Sequence, residues 1–387
     1  MASQTQPARA GDGGFKRQAS IFRDWVTADE SSGFEPDAGR YHLYVARACP
    51  WAHRTLIGLR LMGLEDVIGV SYVDPIRDER GWTFSGGQYQ DEINGFEYLS
   101  EAYHAMDPDY SARVSVPVMW DKRHGVIVNN ESADILRMLS TVFAPLAEHP
   151  VELYPEDGRA EIDKLNDQIF EHVNDGVYKT GFATSQQAYD ECVMALFQLL
   201  DQLDLRLGER RFLFGSTPLE ADWRLFPTLV RFDAVYQIHF KCSVRKLTEY
   251  ENLWPYARDL YQWPGIAHTV SFDEIRNHYY RTHPSINPSR IVAALPRREL
   301  LRAPRARPAR LARFFELSDL RASQRRPSTL PRCARPRSPR RLSQARGSAG
   351  AASSETGSRR TARVPSPSRP IAITSTSRAR ARGHTGP

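Results

Sequence analysis

The sequence has little cysteine, no paired Cys-X-X-Cys and no long apolar run. Its four cysteines, Cys49, Cys192, Cys242 and Cys333, lie far apart in 387 residues. That spacing excludes a disulfide framework, and no cysteine–histidine cluster has the spacing of zinc ligands. No stretch approaches the apolar length of a membrane span. The first fourteen residues are polar and rich in Gly and Ala, without the apolar core of a signal peptide. These absences predict a cytoplasmic protein with reduced thiols and no metal.

Lysine is missing from one region altogether. Residues 297–387 carry 23 Arg, no Lys and 4 acidic residues, which leaves 29 basic against 42 acidic side chains in residues 1–296. The overall charge of +6 is therefore a basic tail on an acidic body, and an acidic body argues against nucleic-acid binding. The tail, residues 296–387, is rich in Arg, Pro, Ser and Ala and has too few apolar side chains to offset its chain entropy, so disorder is expected. An RNA- or membrane-binding arm is one reading of it. A non-native extension of a GC-rich gene fits the missing lysine better.

What is present is ample core material, with 41% hydrophobic and 10% aromatic residues. Residues 41–46 (YHLYVA) read as a strand and residues 50–62 as a helix, with Pro50 in its first turn and Gly63 at its end. Residues 67–73 read as a second strand and 98–106 as a helix. Short strands follow at 116–120 and 126–129, then a helix at 131–139. This order predicts a thioredoxin-like α/β domain. From about residue 161 to 278 the helical period dominates, which predicts an all-α second domain. The expected divisions are an extension at 1–40, a thioredoxin-like domain at 41–147, a helical domain at 158–292, and the tail.

Cys49 falls at the junction of the first strand and helix. Unpaired N–H groups and the helix dipole favour a thiolate there. Ala52 occupies the place of a second cysteine, so any resolving thiol comes from outside. Pro117 opens the third strand, where a cis-proline in a thioredoxin-type fold presents main-chain groups to a thiol peptide; an ordinary edge proline is the alternative. Glu131 and Ser132 open a helix able to hold a carboxylate and an amine, or simply to cap it. Cys192 and Cys242 read as core thiols. His53, one turn past Cys49, reads as a packing residue more readily than as a catalytic partner.

Several segments together resemble the Xi-class glutathione transferases, the glutathionyl-hydroquinone reductases. They are Gly14-Phe15-Lys16-Arg17, Phe22-Arg23-Asp24-Trp25, residues 41–57 (YHLYVARACPWAHRTLI), Gly81-Trp82-Thr83-Phe84 and residues 116–122 (VPVMWDK). The helical half adds residues 174–183 (NDGVYKTGFA), 222–242 (DWRLFPTLVRFDAVYQIHFKC) and 275–291 (IRNHYYRTHPSINPSRI). The resemblance implies a glutathione-transferase fold and a homodimer. It implies Cys49 as nucleophile and Trp82, Arg113, Val116, Glu131 and Ser132 as glutathione-binding residues. Tyr178 would handle the substrate proton. Tyr236 and Tyr279 would donate hydrogen bonds to the Cys49 sulfur, which lowers a thiol's pKa; Tyr280 is the neighbouring candidate for the second. In one departure, Leu219 replaces the threonine that caps a helix in this family. Thr217-Pro218-Leu219-Glu220 is expected to supply a capping box two residues earlier.

The implied activity uses glutathione as co-substrate and glutathione–quinol adducts as substrates. Cys49 takes the glutathionyl group as a mixed disulfide, and a second glutathione releases it. Three other readings compete. One is a broader omega-like thioltransferase or dehydroascorbate reductase. The others are a non-catalytic binding module and a nucleic-acid binder acting through the tail.

Overall fold

The computed structural model describes residues 11–29 and 31–294. The expected disordered tail, with Cys333, lies outside them.

Strand β1 (Tyr41–Val45) is buried along its whole length, as befits a strand covered on both faces. Helix α1 (Pro50–Met62) follows and ends on Gly63, whose φ of 64° and N–H bond to the Leu59 carbonyl close the helix. The crossover lets β2 (Gly69–Tyr72) run parallel to β1. After α2 (Ser100–Met106), β3 (Val118–Asp121) and β4 (Val126–Asn129) form an antiparallel hairpin, and the sheet order is β2-β1-β3-β4. Helix α3 (Ser132–Ser140) packs beside α1. Gly58 permits that approach, since a Cβ there would lie 2.9 Å from Leu136 Cδ1. The third ladder starts at Val118 rather than at 116, because residues 116 and 117 form the cis Val116–Pro117 peptide.

The second layer is helical. It contains α4 (Arg159–Gln168), α5 (Gly176–Phe182), α6 (Gln186–Glu209) and α7 (Glu220–Arg231). It closes with α8 (Gln237–His239), α9 (Leu253–Tyr261) and α10 (Phe272–Thr282). Wider π turns at Ile169–Asn174 and Phe232–Tyr236 interrupt it, and both adjoin the site described below. Val193, Leu196, Leu200, Leu203 and Leu207 form the buried stripe of α6.

Two sequence expectations fail here. Cys192 is not a core thiol: it is only partly buried, at the edge of that stripe. The shifted capping box does not form either. Helix α7 starts at Glu220 with Leu219 as its N-cap, and Thr217 is exposed outside it. Asp222 sets the start. Its buried carboxylate accepts from the N–H groups of Leu219 at 2.8 Å and Leu213 at 2.9 Å, and from Tyr256 Oη at 2.8 Å. A leucine carries no acceptor, so only the Asp222 half of the box exists.

The N-terminal extension is a strap across both layers. Thr184 N–H donates to Gly13 O at 2.9 Å, and Ser185 Oγ to Asp12 O at 3.0 Å. Ten residues on, Asn130 N–H donates to Phe22 O and Asp24 N–H to Val128 O. Arg23 grips Asp134 through two bonds of 2.7 Å.

Candidate active site

Cys49 is the N-cap of α1, in extended backbone, with Pro50 at the first helical position. It is 9% exposed. In the thiol form its Sγ donates to Val116 O at 3.7 Å. The thiol therefore faces the main chain that precedes Pro117.

A buried arginine that sequence reasoning missed holds the loop leading to Cys49. Arg231, the last residue of α7, is fully buried. Its Nε donates to Ala48 O at 3.1 Å and its Nη2 to Arg47 O at 2.9 Å. Nη1 donates to Pro227 O at 2.8 Å and to His53 Nδ1 at 3.0 Å. Burial, reinforced by the Arg231 charge, holds the His53 pKa well below its ordinary value. The ring is thus neutral, Nδ1 is the acceptor, and Nε2–H donates to Thr269 Oγ1 at 2.7 Å. His53 is a packing residue that tightens this tether. The only prior signal for Arg231 was its place in a distinctive run, and nothing in that run told of burial.

The cavity in front of Cys49 has a volume of about 580 Å³. One wall holds Val116, Glu131, Ser132, Arg113 and Trp82. Glu131 caps α3, accepting from Ala133 N–H at 3.2 Å, and also receives Ser20 Oγ from the strap at 3.0 Å. Ser132 Oγ accepts from Arg54 at 3.4 Å. Trp82 stacks on His278, with centroids 5.0 Å apart and planes at 13°. Burial lowers the pKa of Arg113, and repulsion from Arg17 adds to this. All five expected glutathione-binding residues thus border one cavity with Cys49.

The three tyrosines come together on the helical side. Tyr178 Oη lies 2.5 Å from Tyr279 Oη, which lies 3.0 Å from Tyr236 Oη. Their hydroxyls bond one another, and the partner of Cys49 Sγ is the Val116 carbonyl. Tyr280 turns away to Ala234 O at 3.5 Å. Burial raises the pKa of all three clustered tyrosines, so they are protonated at neutral pH and able to donate. Gly181 sets the position of Tyr178 on α5, because a Cβ at 181 would lie 2.3 Å from the Phe240 ring. Among the described residues, no cluster of His, Cys, Asp or Glu could hold a metal ion. No helix among them is long and apolar enough to cross a membrane.

Residues 48–142 match the family described as Glutathione S-transferase, N-terminal domain, and residues 186–259 match its C-terminal counterpart. The chain is 50% identical over 297 residues to the glutathionyl-hydroquinone reductase YqjG of Escherichia coli, covering 74% of this chain and 90% of that one. It is 45% identical over 294 residues to the glutathionyl-hydroquinone reductase PcpF of Sphingobium chlorophenolicum, covering 76% and 93%. The crystal structure of the Xi glutathione S-transferase of Phanerochaete chrysosporium superposes with a TM-score of 0.73 at 44% identity, over 76% of this chain and 97% of that one. A cysteine at the head of α1, a sheet of order β2-β1-β3-β4 and a helical layer bearing the tyrosines agree with these matches: the chain belongs to the Xi class of the glutathione transferases.

Proposed function

We propose that the protein reduces glutathionyl-hydroquinones to hydroquinones at the expense of glutathione, with Cys49 as nucleophile. The observation that carries this reading is a lone N-cap thiol on a cavity bordered by the five expected glutathione-binding residues, with the chain of three protonated tyrosines packed behind the cavity residue Trp51 through Tyr178. With Ala52 in place of a second thiol, the head of α1 carries no resolving cysteine, and the mixed disulfide waits for an external thiol.

Glutathione carries a carboxylate and an amine at one end, which suit the α3 N-terminus and Glu131. Val116 offers main-chain hydrogen bonds beside the cysteinyl part of the peptide. Trp82 and Arg113 complete the wall. The Cys49 thiolate attacks the glutathionyl sulfur, forming the S–S bond as the sulfur–aryl bond breaks. The ring carbon takes a proton through Tyr178 as the hydroquinone leaves. Tyr236 and Tyr279 hold the Tyr178 hydroxyl in line and donate toward the sulfur as charge demands. A second glutathione then attacks the mixed disulfide, giving oxidised glutathione and the thiolate. In this reading residues 41–147 bind glutathione and residues 158–292 bind the quinol, in a cytoplasmic homodimer.

Mass spectrometry of the protein after exposure to a glutathionyl-hydroquinone tests the scheme. The expected result is a glutathione adduct on Cys49 with free hydroquinone, both absent from Cys49→Ser. An adduct formed from small glutathione disulfides, without hydroquinone release, would replace the reductase with a general thioltransferase.

A further inference from the structure

Arg17 has no part in the scheme above, yet the strap carries it into the cavity. Its Nε is ion-paired with the buried Asp175. The guanidinium lies 4.8 Å from the Trp51 ring centroid and 4.7 Å from that of Tyr178. Nη2 is buried with no hydrogen-bond partner. Asp175 and two aromatic faces thus fix the group and leave one strong donor free, which is costly to bury unless a ligand takes it up.

The position of that donor indicates which ligand. Arg17 lines the same cavity as Val116, Glu131 and Ser132 and is near enough to Arg113 to repel it, but its guanidinium packs on Trp51 and Tyr178, and Trp51 in turn on Phe170. When Cys49 attacks the glutathionyl sulfur, the electron pair of the broken sulfur–aryl bond passes into the ring. Tyr178 gives its proton to the ring carbon and recovers one from a quinol hydroxyl. The negative charge lost by Cys49 therefore rests on a quinol oxygen until solvent protonates it. Tyr178 is a poor place for that charge: burial and the Cys49 charge push its pKa up, and although Arg17 and the hydroxyls of Tyr279 and Tyr236 pull the other way, the net direction is upward. A phenolate in an aromatic-lined pocket needs a fixed donor.

Resting on the reductase reading, we propose that Arg17 is a further catalytic residue whose Nη2–H donates to the quinol oxygen that takes up the charge leaving Cys49. Its contribution belongs to the first half-reaction alone, because the second produces no quinol charge.

The test separates the two halves in single turnovers of the full chain. Hydroquinone release is followed from the reduced enzyme, and reduction by glutathione from the preformed Cys49 mixed disulfide. Arg17→Met is expected to slow the first by about 10- to 100-fold, the range for a lost charged donor, and to leave the second within about twofold. Arg17→Lys, which keeps the charge, should recover part of the loss and serves if the methionine variant does not fold. The deficit should shrink with chlorinated hydroquinones, whose phenolates need less stabilisation. Equal losses in both halves, or none in the first, would overturn the assignment and leave Arg17 as a strap anchor. A wild-type protein that releases no hydroquinone would instead remove the reductase reading on which the assignment rests.

Discussion

Arg231 buries a full positive charge against two peptide carbonyls just ahead of the nucleophile. Arg231→Met would leave the Arg47 and Ala48 carbonyls without donors, a loss of about 2–4 kcal/mol in stability. Thermal unfolding should show this, together with a changed rate of Cys49 alkylation; an unchanged rate would mean that the tether does not position the thiol. Cys49 was readable from sequence because its surroundings are local: strand, cysteine, proline, helix. The helix start at Glu131 and Ser132 was readable for the same reason, and Glu131 is indeed its cap. Arg231 was not, because arginine in a helix ordinarily faces water, and its partners lie 183 and 184 residues away. Cys192 was misread because one position on a helix separates the core from its margin. Only the structure distinguishes Tyr279 from Tyr280, since adjacent residues point about 100° apart on a helix.

Helix α7 shows how a local rule yields to a buried partner. Thr217-Pro218 has the chemistry of a helix start, but Asp222 is anchored by three donors from two neighbouring segments. Those bonds outweigh one cap worth roughly 1 kcal/mol. Thr217→Ala is thus expected to leave stability unchanged within about 0.5 kcal/mol. Leu219→Thr, which supplies the missing acceptor at the true N-cap, should gain about 0.5–1 kcal/mol. Urea denaturation of the two variants checks both; a destabilised Thr217→Ala would restore the earlier helix start. The strands and α1 were legible to within two or three residues, because their apolar runs and their Pro and Gly boundaries obey local rules. The π turns were not, since nothing in their sequences marks the wider winding.

The whole molecule should lose stability steeply on acidification. Five histidines, His42, His53, His239, His278 and His283, are buried. Burial lowers the pKa of each, to about 4 for His42 and His239 and well below the ordinary value for the other three. Below about pH 6.5 the unfolded chain binds these protons and the folded chain does not, so stability is lost as pH falls toward 4. Asp222 acts the other way, because burial pushes its carboxyl up to about 6 and the folded state then holds the extra proton. The balance is an uptake of about four protons on unfolding, a slope of about 5 kcal/mol per pH unit near pH 5. Melting temperatures measured from pH 7.5 to 5 would reveal it, and a flat profile would mean that the buried rings accept protons in place.

The strap also orders events on the ribosome. Residues 12–24 are made before every partner that seats them, since their bonds reach β4 and the start of α6. Phe22 bonds to a residue 108 positions later, and Gly13 to one 171 positions later. The nascent chain therefore carries Arg17 unattached until the whole first layer and the opening of the second, with Asp175, have emerged. Its two anchors are added in sequence, β4 first and α6 second. The strand and helix that flank Cys49 come from early sequence, while its Arg231 tether, the His278 ring behind Trp82 and the aromatic side of the pocket wait for the helical layer. Chains that stall before α6 would expose an unsealed Cys49 to any disulfide in the cell.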